Sequence, residues 1–77
     1  MKQVIADLSD RCRVVDEGNQ WTIEYRKGSS TAKSTGWVGK SFHRNRSSLL
    51  KRVRELCPDA SAADMLHLEI LPDWHPG

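Results

Sequence analysis

The hydrophobic and polar positions are most regular over residues 21–26 (WTIEYR), where Trp21, Ile23 and Tyr25 alternate with Thr22, Glu24 and Arg26. A period of two puts the two sets on opposite faces of a half-buried strand. Residues 11–16 (RCRVVD) form a second strand. Between them, Glu17-Gly18-Asn19-Gln20 has turn chemistry, since Gly and Asn accept positive φ, so the pair predicts a hairpin. Residues 37–42 (WVGKSF) make a third short strand, with Gly39 marking a bulge or a close backbone approach. Near the start, Val4, Ile5 and Leu8 fall at i, i+1 and i+4, which predicts a short amphipathic helix over 2–9. The β-branched Val4 and Ile5 leave an edge strand as the alternative.

The period lengthens to 3.6 over residues 44–57. Leu49, Leu50, Val53, Leu56 and Cys57 project onto one face about 120° wide, with Arg44, Lys51, Arg52 and Arg54 on the remaining arc. Pro58 stops this helix. A short last helix is predicted near 61–70, capped by Ser61 with Asp64 three residues later in an imperfect capping box. The element order is α-β-β-β-α-α. It predicts one α+β domain over 1–77, a small two-layer sandwich with a three-stranded antiparallel sheet on one long helix and short flanking helices. Residues 27–36 (KGSSTAKSTG) are expected to form a flexible loop and 72–77 a tail.

Length narrows the function. A chain of 77 residues buries only about 60% of its unfolded surface and has little room for an enclosed pocket. An enzyme is therefore not expected. No apolar run is long enough to span a bilayer, and MKQVIADLSD has no apolar core of a leader, so a cytoplasmic location in a bacterial cell is expected. That setting predicts Cys12 and Cys57 as reduced, half-buried thiols, with a Cys12–Cys57 bridge or a bridge between chains as the alternatives.

The net charge of +2 conceals a sorting of charge along the chain. Residues 25–54 contain nine Lys and Arg and no acid, while residues 55–77 contain five acids and no Lys or Arg. Either the blocks neutralise one another in the fold, or a positive face is left for an anionic partner. The second reading names Arg26, Lys27, Trp37, Lys40, His43, Arg44, Arg46, Lys51, Arg52 and Arg54 as partner-binding residues. Arginine's planar fork suits phosphates and carboxylates alike, and Trp37, Phe42 and His43 interleave with the cations as stacking groups or anchors.

Other chemistry fits poorly. Cys12, Cys57, His43, His67 and His75 match no zinc spacing, and separate surface histidines are expected; no metal or cofactor is implied. Cys57 lies on the apolar face of the basic helix and Cys12 in a strand, as core filler rather than nucleophiles. Gly36-Trp37-Val38-Gly39-Lys40-Ser41 has two residues between its glycines where a phosphate-binding loop needs four. A membrane surface is disfavoured because the helix's apolar face is needed for the core. No signature of sequence-specific DNA reading is present.

With its length, its lack of a catalytic pattern and the block WVGKSFHRNRSSLLKRVREL, the chain resembles small phage- and prophage-encoded proteins of the anti-CRISPR type. The resemblance is one of general character and transfers no residue. It implies an inhibitor that binds a protein or ribonucleoprotein effector, such as a CRISPR surveillance complex, and blocks its nucleic-acid binding, as a monomer or homodimer. Many such inhibitors are acidic DNA mimics, and the basic block here departs from that. The alternative is a small nucleic-acid-binding accessory or regulatory protein that contacts phosphates with the same basic helix.

Overall fold

The structure, a computed structural model, describes residues 2–26 and 36–77. It consists of strands β1 (Gln3–Ser9), β2 (Cys12–Asp16), β3 (Trp21–Arg26) and β4 (Trp37–His43), then helices α1 (Arg46–Leu56) and α2 (Ala62–Glu69). The strands form one antiparallel meander in the order β1-β2-β3-β4. The α+β class holds, but the predicted three-stranded sheet on one long helix is replaced by four strands and two short helices.

The extra strand is the segment expected as a helix. β1 pairs with β2 through two irregularities, between Val4 and Ala6 and between Asp7 and Ser9. Each shifts the phase of the alternation. The inward apolar positions therefore fall at Ile5, Ala6 and Leu8 instead of at every second residue. This spacing imitates a helix.

β2 and β3 form the expected hairpin. Gly18 takes φ 95°, and its N–H donates to the Asp16 carboxylate at 2.7 Å. In β4, Ser41 pairs with Ile23 but Gly39 with Glu24, so Lys40 is the extra residue of a bulge beside Gly39.

Both helices lie on one side of the sheet. Ala6, Leu8, Cys12, Val14, Trp21 and Ile23 meet Leu49, Val53, Cys57 and Leu68 there in a single core. α1 is capped by Asn45, whose side chain accepts from the Ser48 N–H at 3.1 Å. It is shorter than the predicted 44–57, and Arg44 precedes it. α2 is capped by Ser61, as expected, with reciprocal bonds between Ser61 and Asp64.

Cys12 and Cys57 form a disulfide, with Cα atoms 6.7 Å apart, instead of two reduced thiols. It ties β2 to the end of α1, and closing the intervening loop removes about 4 kcal/mol of unfolded-chain entropy.

The segment 72–77 is docked instead of trailing. The His75 N–H donates to the Arg44 carbonyl at 2.7 Å, and Trp74 bridges to Asn45. The His75 ring is buried, edge-on to Trp21 with centroids 4.9 Å apart. The Gly77 N–H donates to its Nδ1, which leaves Nε2 to donate to Asp16 at 2.9 Å. Burial alone would raise the Asp16 pKa, but the Gly18 N–H and His75 hold it below the ordinary carboxylate value. His75 is thus an internal strut, contrary to the surface position expected for it.

Candidate nucleic-acid interface

Among the described residues no helix lies over the other face of the sheet. Strand register places Val4, Val15, Thr22 and Phe42 in one row, Asp7, Arg13, Glu24 and Gly39 in the next, and Arg26 beside Trp37 in a third. Val15, Thr22 and Glu24 are nonetheless fully buried. For Glu24, long side chains laid across the strands account for this. Lys2 reaches over β2 to place Nζ 2.6 Å from Glu24 Oε2, and Arg13 Nε lies 2.7 Å from Oε1. Thr22 Oγ1 donates to Glu17. Burial would raise the Glu24 pKa, yet the hydrogen bonds from Lys2 and Arg13, with their charges, depress it below 4.5.

The aromatic residues sit toward the β4 edge. The Arg13 guanidinium lies 4.2 Å from the centre of the Trp37 ring, and that of Arg26 lies 5.9 Å from the same ring. Both are within cation–π range, worth about 0.5–2 kcal/mol. Phe42 is 58% exposed. Its ring lies along the strand over Gly39: a Cβ there would come within 3.0 Å of Phe42 Cζ. The bulge at Lys40 brings Trp37, Gly39 and Phe42 onto one face, with a ring on each side of a glycine. Among the described residues β4 is a sheet edge, and Lys40 stands exposed along it. Asp7 lies at the opposite side, on β1.

The structure separates the residues named from sequence. Arg26 and Trp37 meet on the open face, with Arg13 joining them. Lys40 lies at the edge. Lys51, Arg52 and Arg54 are exposed on α1. Arg52 pairs with Glu55 at 2.8 Å, an exposed i,i+3 contact worth little. Among the described residues Lys40, Arg44, Lys51 and Arg54 form no ion pair, so the C-terminal acids do not cancel the basic block one by one. Arg44 donates instead to the Gly77 backbone oxygen at 3.1 Å.

Arg46 is a structural residue. Its guanidinium donates to the carbonyls of Glu69 and Leu71 and pairs with Asp73 at 2.6 Å. His43 points to the helix side, with Nε2 2.5 Å from Ser41 Oγ and Nδ1 3.0 Å from Ser48 Oγ. Burial, and then the Arg52 charge, lower its pKa, so the ring is neutral near pH 7. Lys27 lies outside the described residues, as does 27–35 of the expected loop.

Arg13 was not among the sequence-named residues. The signal for it was its placement opposite Glu24 in the hairpin, which requires the register. No group of three or more metal-ligating side chains occurs among the described residues, and no described helix is long and apolar enough to cross a membrane. No family model, curated protein or solved structure matches the chain.

Proposed function

We propose that the chain is a non-enzymatic binding protein whose ligand is single-stranded nucleic acid, held along the β4 side of the open sheet face. One observation supports this above the others. Phe42 and Trp37 present rings on a face that no described helix covers, flanked by Arg13, Arg26 and Lys40. Bases stack on exposed rings whatever their sequence, at about 1–3 kcal/mol each, while cations beside the rings follow the phosphates. Duplex DNA offers its base edges in grooves, and an exposed ring such as that of Phe42, with cations on the same sheet face, suits unpaired bases better.

The test is fluorescence anisotropy with labelled oligo-dT, oligo-U and a mixed-sequence duplex over a salt series. Single strands are expected to bind more tightly than duplex, with affinity falling steeply as salt rises. Phe42→Ala is expected to weaken binding by about 1–3 kcal/mol. An inhibitor of the anti-CRISPR type would dock on an effector with the same cations and leave free oligonucleotides unbound. Absence of binding to any of the three at low salt therefore overturns the nucleic-acid reading.

A further inference from the structure

We infer that the groove between α1 and α2 is a contact surface between two copies of this chain. The groove has a volume of about 500 Å³ and is lined by Cys57, Pro58, Ala60, Ala62, Met65 and Leu66, with Arg54 on the α1 wall and Glu69 on the α2 wall. From its wall an apolar line continues at i, i+4 and i+8 along α2 and its C-cap: exposed Ala62, Leu66 at 58% exposure and Ile70 at 78%. Apolar side chains at such spacing on a surface mark a contact site.

Shape and charge together select the occupant. In an antiparallel two-fold pairing of α2 with its copy, centred on Leu66, Ile70 of one protomer meets Ala62 of the other, large against small. Arg54 from α1 and Glu69 from α2 line the same groove with opposite charges, so a two-fold pairing can set each against its opposite in the other protomer. Among the described residues neither side chain has an ion pair within its own chain, so both charges are available across the axis. A two-fold interface requires this self-complementarity: residue i meets j, and j meets i. Nucleic acid is a poor occupant, because residues 55–77 contain five acids and no Lys or Arg. The chain's own residues 27–35 are a poor occupant too, since KGSSTAKST has no large apolar side chain to fill the groove. A contact of this size makes a weak, concentration-dependent dimer rather than an obligate one. The inference is independent of the nucleic-acid reading.

Sedimentation velocity over a wide concentration series tests it, with circular dichroism to check the fold of each variant. The apparent mass of the wild type is expected to double as concentration rises. Leu66→Asp, at an exposed position, is expected to stay folded and monomeric throughout. Arg54→Glu and Glu69→Arg are each expected to weaken the dimer, and the double reversal R54E/E69R to restore it. A wild type that remains monomeric at the highest concentration overturns the inference and leaves a foreign protein segment as the occupant. Unchanged dimerisation of Leu66→Asp overturns it as well. Two weakened single reversals without recovery in the double overturn the two-fold pairing.

Discussion

The two faces of the sheet bury residues to the same degree by opposite means. On the helix side, Val14, Trp21 and Ile23 lie under Leu49, Val53 and Leu68, and the covering groups are apolar. On the open side, Glu24 lies under the charges of Lys2 and Arg13, the latter also over the ring of Trp37, and Val15 and Thr22 are buried beside it. The first face depends on packing volume. The second depends on a carboxylate staying ionised between two cations, whereas on the first a titrating pair, Asp16 with His75, stands only at the margin beside Trp21.

The contrast can be broken most strongly from the packed side. Leu49→Ala should cost about 2–5 kcal/mol in urea unfolding, from lost burial and the cavity left behind. On the open side Glu24→Ala should cost less, about 1–3 kcal/mol, because Lys2 is 48% exposed and regains water when its partner is lost.

The pH dependence sharpens the comparison further. Glu24 and Asp16 have folded pKa values below their ordinary 4.5 and 3.8. A depressed carboxylate stabilises the fold above its unfolded pKa, and that contribution is lost as pH falls through the lower folded value. Urea midpoints should thus hold near neutrality and decline below about pH 4.5. Glu24→Gln should start lower and decline less, while Leu49→Ala should follow the wild-type slope. The smallest effect on stability belongs to Phe42→Ser, expected within about 0.5 kcal/mol of wild type because the ring is already exposed. A large loss would mean that Phe42 holds the sheet together rather than facing a ligand.

Local signals in the sequence reached as far as the hairpin, the bulge beside Gly39, the apolar face of α1 and the Ser61 cap. Each depends on residues within a few positions of one another. β1 was obscured because its two irregularities displaced Ile5, Ala6 and Leu8 from a period of two. The docking of His75 was not visible, because its partners Trp21 and Asp16 lie more than fifty residues away and nothing in DWHPG indicates burial. For the proposed interface, the sequence located the cations and the interleaved aromatics but not their faces. The helix-based expectation put Arg46 among the binding residues, where the fold uses it to hold the carbonyls of Glu69 and Leu71 at the end of α2 and just beyond it. It omitted Arg13, which only strand register brings to Trp37.

The link between Cys12 and Cys57 has a consequence for a cut chain. It joins a strand before the β3–β4 connection to a helix end after it. Scission within that connection would leave two pieces still covalently joined, each holding one strand of the β3–β4 pair. Such a nicked molecule should migrate intact on a non-reducing gel and fall into fragments only when a thiol is added.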